Sequence, residues 1–348
     1  MMNKALPCLL AAFSVLLAVQ ASADDIVNRS SLGMFQALPE SAENPKNPFN
    51  AAKLELGHKL FFDRRLSLDH RISCHSCHHL KEYGQTGTAL PTGIAGQKPE
   101  RNSPTVFNAA IQVAQFWDGR EPDVEAQAKG PILAGAEMGM PNPEYVVKVL
   151  KSVPGYVELF QQAFPGSEDS LTYDNLGKAL GAYERKLITP SRFDAFLKGD
   201  DEALTSAEKK GLMTFVSTGC TTCHNGMGIG GHMFQKLGLV KPWPGLTDKG
   251  RSEVTGNEVD KHHFKVPTLR NVSETAPYLH DGSVEELEQM VKKMARHQLG
   301  RELSDEDTES IITFLKSLKG EVPKDWVERP ELPESGPDTP RPVEYIVE

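Results

Sequence analysis

A Cys-x-x-Cys-His pattern occurs twice in this chain, and residues of these types at this spacing can hold a cofactor covalently. The two copies consist of Cys74, Cys77 and His78, and of Cys220, Cys223 and His224. Two thiols one helical turn apart can each add to a vinyl group on one edge of a porphyrin. The histidine that follows is then held beneath the iron as its proximal ligand. The patterns therefore predict two covalently bound c-type haems.

Two other interpretations of paired cysteines were weighed against this one. Zinc ribbons place their two Cys-x-x-Cys halves roughly 15–20 residues apart, and these copies lie much further apart along the chain. A thioredoxin-like redox pair needs no histidine after its second cysteine, whereas both copies here carry one. The haem interpretation is favoured over both alternatives.

The first residues are typical of a secretory signal peptide. Lys4 supplies a small positive charge, residues 6–19 form an apolar stretch, and residues 21–23 (Ala-Ser-Ala) form a cleavage site. We expect residues 1–23 to be removed on export to the periplasm. Cys8 lies in this leader, so all four cysteines of the mature chain belong to the two haem patterns.

The charge balance excludes some classes of partner. The 348-residue chain has a formal net charge of −9, which argues against nucleic acid or an anionic membrane as a partner. After the leader, no apolar stretch approaches the length of a membrane span. We therefore expect a soluble mature protein.

The predicted fold class is mainly α, because helical patterns flank each haem pattern. Residues 51–62 are predicted to form one helix, and a helix that starts with the capping box of Thr205 and Glu208 precedes the second haem pattern. Gly57 and Gly211 stand at matching places in these helices, as in a weak internal repeat, and each would let another helix cross closely. The apolar stripe predicted for the first helix is Leu54, His58 and Phe61.

Each of these helices has a predicted partner helix later in the chain. The second partner is predicted to begin at Ser304 and to end at Gly320. The first partner is predicted over residues 176–187, where leucines recur at helical spacing. Each helix pair would frame one haem.

The chain is long enough for two domains of ordinary size. We predict two cytochrome-c-like haem domains, an N-terminal one at residues 24–188 and a C-terminal one at residues 189–320. Long loops at residues 84–104 and 225–257 are expected to cover the cofactors. The last residues, 321–348, are rich in Pro and Glu and are expected to form an extended tail that packs on the surface.

Several further strings are more specific than a pair of haem sites. They are residues 102–105 (Asn-Ser-Pro-Thr), 115–120 (Gln-Phe-Trp-Asp-Gly-Arg), 130–132 (Gly-Pro-Ile), 137–139 (Glu-Met-Gly), 266–271 (Val-Pro-Thr-Leu-Arg-Asn), 277–282 (Pro-Tyr-Leu-His-Asp-Gly) and Met294 with 298–300 (Gln-Leu-Gly). In order and spacing they resemble the bacterial dihaem cytochrome c peroxidases, the wider family that includes MauG. The resemblance covers nearly the whole mature chain.

The resemblance implies a division of labour between the two haems. The N-terminal haem, on His78, would be the peroxidatic one, with an open or openable sixth position. The C-terminal haem, on His224, would transfer electrons and have Met294 as its second axial ligand, since a thioether raises the reduction potential. Met290 lies four residues earlier on the same helical face, so a plain core role for Met294 is the alternative. MauG has a tyrosine at this place.

The same resemblance implies three catalytic residues. Heterolytic cleavage of peroxide needs a group that takes a proton from one oxygen and delivers it to the other, and Glu137 matches the family's carboxylate. Gln127 matches a distal glutamine that would hydrogen-bond peroxide or water. Trp117 matches a tryptophan that lies between the haems and would bridge electron transfer. The alternatives are solvent exposure for the first two residues and ordinary core burial for the third.

A calcium ion is also implied by the resemblance alone. Asn102, Thr275 and Pro277 match a site between the domains in which one side chain and two backbone carbonyls supply oxygen ligands. No acidic calcium-binding loop occurs in the sequence. The resemblance leaves open whether the chain forms a homodimer, as family members often do.

The chain departs from the family pattern in one loop. Many members have a histidine before the Asn-x-Pro-Thr string, and this histidine blocks the peroxidatic iron until the other haem is reduced. The matching residues 92–97 here are Thr-Gly-Ile-Ala-Gly-Gln, and residues 80–101 contain no histidine. We therefore predict a peroxidatic haem that is not bis-His ligated and needs no reductive activation.

These features predict a periplasmic dihaem peroxidase that reduces hydrogen peroxide to water. The electrons would come from a small redox protein, either a cytochrome c or a cupredoxin. One alternative is a MauG-like enzyme that oxidises residues of a partner protein. Another is a dihaem electron carrier without catalysis, against which Glu137 argues, because a carrier needs no acid–base group.

Overall fold

A computed structural model describes Val27 and residues 29–345 of the chain, so the predicted leader lies outside the described residues. The fold is mainly α, as predicted, and short 3₁₀ turns and loops join the helices. The helices are α1 (Ala51–Phe62), α2 (Cys74–Cys77), α3 (Val124–Gln127), α4 (Gly130–Leu133), α5 (Pro143–Lys151), α6 (Pro154–Ala163), α7 (Tyr173–Glu184), α8 (Arg192–Leu197), α9 (Ser206–Thr218), α10 (Ser252–Thr255), α11 (Leu287–Leu299), α12 (Asp305–Lys316) and α13 (Lys324–Val327).

The loop that follows the second haem pattern forms half of a small sheet. Strands β1 (Phe234–Lys236) and β2 (His263–Lys265) pair antiparallel, with Gln235 opposite Phe264. No helix among the described residues is both long enough and apolar enough to cross a bilayer.

The first helix pair consists of α1 and α7. Asn50 caps α1 by accepting a hydrogen bond from the backbone N–H of Lys53 at 2.7 Å. A side chain at Gly57 would collide with the backbone carbonyl of Ala179 on α7, so the glycine permits the close crossing. The face of α1 that is buried against the core is formed by Leu56, Gly57, Leu60 and Phe61.

The second pair, α9 and α12, repeats this arrangement. Thr205 and Glu208 form the predicted capping box at the start of α9, with backbone-to-side-chain hydrogen bonds of 2.9 and 3.2 Å. Gly211 lies against the backbone carbonyl of Ser310 on α12 and leaves no room for a side chain. The two glycines of the predicted repeat therefore serve the same purpose.

Three details of the helix predictions were wrong. Leu54 and His58 are only half-buried, because the buried face of α1 is rotated toward Leu56. Helix α7 ends at Glu184 rather than residue 187, and α12 ends at Lys316 rather than near Gly320. The chain leaves both helices early because the carbonyls of residues 187 and 318 accept hydrogen bonds from distant loops.

Those loops meet at Thr189, between the two halves of the chain. Its hydroxyl oxygen accepts hydrogen bonds from the side-chain amides of Asn108, at 2.7 Å, and Asn271, at 2.9 Å. Asn108 also accepts a hydrogen bond from the backbone N–H of Thr189, and Asn271 accepts one from that of Gly320. All three polar side chains are fully buried. We call this group the Thr189 node.

The apolar core is divided into two main clusters. The first is built mainly from residues 56–187 and the second mainly from residues 193–318. The residues after 320 return to the first cluster, where Trp326 and Val327 pack against it. Further along, the backbone N–H of Val343 donates to the carbonyl of Leu68 at 3.0 Å.

The glycine crossings give the first prediction. Gly57→Ala and Gly211→Ala should each lower the free energy of unfolding by about 1–3 kcal/mol, since the added methyl group must push two helix backbones apart. Guanidinium denaturation followed by circular dichroism measures this change. Gly33→Ala is the control, because no atom lies within 4 Å of the added methyl group. Equal stability of all three variants would contradict the close-crossing explanation.

Candidate active site

The first haem pattern begins on the short helix α2. Ser73 and Ser76 form a capping box that fixes its start, with the Ser73 N–H donating to the Ser76 hydroxyl at 3.0 Å. Burial raises the pKa of both thiols of this pattern, that of Cys77 to about 11. The four cysteines of the described residues are free. The thiols are therefore available for thioether bonds.

His78 is prepared to act as a metal ligand. Its Nδ1 atom lies 3.2 Å from the backbone carbonyl of Gly84, so this nitrogen donates its proton and leaves Nε2 as the lone-pair atom. Burial lowers the pKa of His78 to about 4, with a smaller opposing effect from the backbone carbonyls of Gly84 and Pro104. The imidazole is thus neutral near pH 7, as iron ligation requires. The residues of this pattern fit a c-type haem.

Glu137 lies close to this pattern. Its carboxylate is near enough to raise the pKa of both Cys74 and Cys77 electrostatically. Burial raises the pKa of Glu137 itself, and the positive charge of Arg120 partly offsets that effect. Glu137 is therefore not the solvated surface carboxylate that was the alternative. Its surroundings favour a group that can hold a proton.

The loop predicted to lack a blocking histidine packs directly on the Glu137 segment. The backbone N–H of Ile94 donates to the carbonyl of Glu137 at 2.9 Å. Gly93 lies against the Ala136 carbonyl, and the side chain of Ile94 fills the space beside Gly139. Ile94 is only 3% exposed. The loop of residues 92–97 is therefore anchored against the segment that contains Glu137.

Gln127 is the last residue of α3 and is half-buried. Its side chain makes no hydrogen bond to another described residue. Asp123 caps the same helix by accepting a hydrogen bond from the Ala126 N–H at 2.9 Å. The structure therefore leaves the predicted role of Gln127 as a prediction.

The second haem pattern lines a cavity of about 1550 Å³, its open mouth included. Cys220, Cys223 and His224 contribute one part of the wall, and Met294 contributes another from α11. Met290 also lines this cavity, so the structure brings both methionines to it. Most of the other lining residues are apolar. Two thiols, an imidazole and a thioether around one apolar cavity fit a c-type haem with His and Met ligands.

His224 also lacks a complete set of partners within the protein. Burial lowers the pKa of His224 to about 4, which keeps the ring neutral. The backbone carbonyls of Ile229 and Pro267 lie close enough to oppose this shift, yet Nδ1 is buried without a hydrogen bond of good geometry. A neutral imidazole that lines an apolar cavity is chemically able to bind a haem iron.

Trp117 is held where the two halves of the chain meet, and it lines the same cavity. Its indole N–H donates to the backbone carbonyl of Asn102 at 3.0 Å. Its own carbonyl accepts a hydrogen bond of 2.8 Å from the backbone N–H of Lys265 on β2. The ring of His280 meets it edge-on, with centroids 6.4 Å apart.

A charged network stabilises the loop that carries Trp117. Arg101 donates to Asp118 at 2.5 Å and to Asp248 at 2.7 Å, so one guanidinium joins two loops that are far apart in sequence. Arg120 lies 3.0 Å from Asp118 and stacks on the ring of Phe116. The network leaves Trp117 little freedom to move.

The three residues predicted to bind calcium line one large cavity. Asn102, Thr275 and Pro277 line the cavity described above. The side-chain amide N–H group of Asn102 donates to the backbone carbonyls of Thr88 and Ala89. This orientation leaves its side-chain oxygen for a cation. No group of three or more His, Cys, Asp or Glu side chains that could hold a metal occurs among the described residues, so a calcium site here would depend on neutral oxygens.

The sequence analysis missed two features of this region. The first is the Thr189 node, although a repeated Pro-Thr-x-x-Asn string that ends at Asn108 and Asn271 could have revealed it. The second is the buried Lys265, which no pattern in the sequence distinguishes from a surface lysine.

Comparisons with known proteins place the chain in one family. The profile of the family described as di-haem cytochrome c peroxidase matches residues 51–202. The cytochrome c551 peroxidase of Pseudomonas aeruginosa is 44% identical over 330 residues, which cover 93% of this chain and 94% of that protein. The methylamine utilization protein MauG of Methylophilus methylotrophus is 32% identical, over 85% of this chain and 90% of that protein.

A solved structure has the same fold. The crystal structure of a MauG-like protein associated with microbial copper homeostasis superposes with a TM-score of 0.75 at 25% sequence identity. The match covers 84% of this chain and 97% of that one. The helical framework described above is therefore shared with a MauG-like protein.

Covalent attachment gives the second prediction. Replacing Cys74 and Cys77 by serine should remove one covalently bound haem, and replacing Cys220 and Cys223 should remove the other. Each double variant should keep one haem in intact-mass spectrometry, because the thioether bonds are lost at only one pattern. Cys8→Ser is the control and should keep both. A double variant that retains two covalent haems would contradict the assignment.

Proposed function

This chain belongs to the di-haem cytochrome c peroxidase family, and from that premise we propose that it reduces hydrogen peroxide to water in the periplasm. The electron donor in this proposal is a small redox protein, a cytochrome c or a cupredoxin. The chain is an oxidoreductase, as its relatives named cytochrome c peroxidases are. The proposal adds the site of the chemistry and the residues that perform it.

The burial of Glu137 beside the first haem pattern is the observation that carries the proposal. Burial raises the pKa of this carboxyl, which favours a group that can accept a proton and later release it. It lies within electrostatic reach of Cys74 and Cys77, the residues that would attach the haem. A dihaem electron carrier would have no use for such a group.

The protein's part in the reaction is the movement of protons. When bound, the two haems supply the iron that takes up peroxide and the capacity to store and pass single electrons. Glu137 would take the proton from one peroxide oxygen and deliver it to the other, which leaves as water. In the overall reaction, two electrons and two protons convert one peroxide into two waters, the departing one included. Gln127 would hold the peroxide by a hydrogen bond.

The two haem sites are proposed to have different tasks. Met294 on α11 lines the cavity beside His224, and on the family resemblance it would hold the iron of the second haem together with His224. On the His78 side, the loop of residues 92–97 offers no histidine, and Ile94 anchors it against Glu137. The His78 site would thus be ready for peroxide while both haems are oxidised.

Trp117 would carry electrons between the two sites. Its hydrogen bonds to both halves of the chain keep the ring fixed, which favours electron transfer because little reorganisation is needed. Asn102, Thr275 and Pro277 would hold a calcium ion close to it. In this proposal the donor protein delivers its electrons at the His224 side.

One observation favours a second candidate function. A peroxidatic site without a blocking histidine would also suit a MauG-like enzyme that oxidises residues of a partner protein. Met294 argues against this candidate, because MauG has tyrosine at that place. Turnover with reduced cytochrome c, compared with oxidation of a candidate protein substrate, distinguishes the two functions.

Substitution of the carboxylate gives the third prediction. Glu137→Gln should lower the rate of peroxide reduction by about 10²–10⁴-fold, since the proton carrier is lost. Stopped-flow assays with a reduced cytochrome c would measure the rate. Both haems should remain bound. Glu144→Gln, an exposed glutamate nearby, is the matched control and should retain full activity. An unchanged rate for Glu137→Gln would refute the proposed mechanism.

The resting state gives the fourth prediction. The fully oxidised protein should show a high-spin or mixed-spin ferric component in its absorption and electron paramagnetic resonance spectra, since no histidine closes the His78 site. It should react with hydrogen peroxide without prior reduction. A purely low-spin spectrum, combined with no reaction toward peroxide, would show that another residue blocks the iron.

A further inference from the structure

Lys265 is a buried cation in the wall of the cavity beside His224. It is the last residue of β2 and only 7% exposed. Its ammonium group donates to the side-chain oxygen of Gln112 at 2.5 Å and to the backbone carbonyl of Ala114 at 2.8 Å. Both acceptors are neutral. The hydrogen bonds therefore satisfy two of its three donors but do not balance its charge.

No described carboxylate forms an ion pair with Lys265. The carboxylate with an electrostatic effect on the pKa of Lys265 is that of Asp118. Asp118 is already paired with Arg101 at 2.5 Å and with Arg120 at 3.0 Å. Burial lowers the pKa of Lys265 to about 7 when only the protein is considered. A buried ammonium without a counter-charge is unfavourable, so the site calls for an anion from outside the chain.

The cavity is the place from which such an anion would come. Lys265 lines the same cavity as Cys220, Cys223 and His224, the residues proposed to hold the second haem. A haem carries two carboxylates on the edge opposite its vinyl groups. A cofactor attached through the two thiols would therefore bring negative charge into the cavity that Lys265 lines.

We propose that Lys265 is an electrostatic positioning residue for the second haem: the carboxylates of that cofactor balance its ammonium, and its positive charge raises the cofactor's reduction potential. A cation near the iron favours the reduced form, which carries one positive charge fewer. The higher potential would direct incoming electrons to this haem first. This inference rests on the proposed binding of a haem at His224.

A purely structural role for Lys265 is the competing explanation. The ammonium group ties β2 to the loop that contains Gln112 and Ala114, and this loop leads to Trp117. The backbone N–H of Lys265 already donates to the Trp117 carbonyl, and its neighbour Phe264 is paired within the sheet. These backbone bonds would survive a change of side chain, so the two explanations can be separated by substitution.

The test is a spectroelectrochemical titration of the dihaem protein and of three variants. Lys265→Met removes the charge. Gln112→Glu keeps the lysine and a hydrogen-bond acceptor but adds a carboxylate that neutralises the charge. Gln112→Met removes the same hydrogen bond and leaves the charge in place. The titration should show one reduction step for each haem. The step that disappears or shifts in Met294→Leu belongs to the haem on His224.

We expect Lys265→Met and Gln112→Glu each to shift the reduction equilibrium of that haem at least tenfold toward the oxidised form, a fall of 59 mV or more for a one-electron couple. For Gln112→Met, the reduction equilibrium constant of that haem should stay within threefold of its value in the unmodified protein. If this equilibrium constant also stays within threefold in both Lys265→Met and Gln112→Glu, the proposal is wrong. It is equally wrong if Gln112→Met produces the same fall, since a structural tie would then explain the effect.

Two features keep the result interpretable. If Lys265→Met fails to retain its haems, Gln112→Glu alone decides the question, because it preserves the lysine. The measurement also needs no peroxide turnover. A failure of the proposed peroxidase function, seen as an unmodified protein that does not reduce peroxide, would leave these potentials unaffected and would be recognised separately.

Discussion

One buried hydroxyl group links loops from the two halves of this protein. Thr189 accepts hydrogen bonds from Asn108 and Asn271, and none of the three side chains is reached by solvent. The loops that end in these asparagines begin with Pro104 and Pro267, whose carbonyls lie beside His78 and His224. A buried polar group that loses its partner costs about 1–3 kcal/mol. The Thr189 node therefore ties together the two loops that lie beside these histidines.

Around this node the same framework is used twice with different chemistry. Gly57 and Gly211 permit the same close helix crossing, so the two haem patterns are presented in similar ways. The residues that face them are unlike. A buried carboxylate, Glu137, lies beside the first pattern, whereas Met294 and an apolar wall face the second. The helix pairs position the two patterns, and the residues around each pattern determine the chemistry that is possible there.

The parts of the fold that follow from local chemistry were predictable. The capping box at Thr205 was predicted correctly because it depends on side chains three residues apart, which contact each other whenever the helix forms. The ends of α7 and α12 were predicted three and four residues too late. Just after these helices, the carbonyls of residues 187 and 318 accept hydrogen bonds from the backbone N–H groups of Asn108 and Asn271, which are distant in sequence. The half-burial of His58 was missed for a similar reason, since its environment depends on the returning residues Glu328 and Trp326.

The sequence by itself determined the two cofactor attachment patterns, the helical class and the family, because these depend on residue types at fixed short spacings. Only the tertiary structure decided which side chains are taken out of water and what charges surround them. It placed Glu137 within reach of Cys77, brought Met290 as well as Met294 to one cavity, and left Lys265 buried without a counter-charge. Burial and electrostatic fields are sums over groups that are distant along the chain, and no local spacing encodes such a sum.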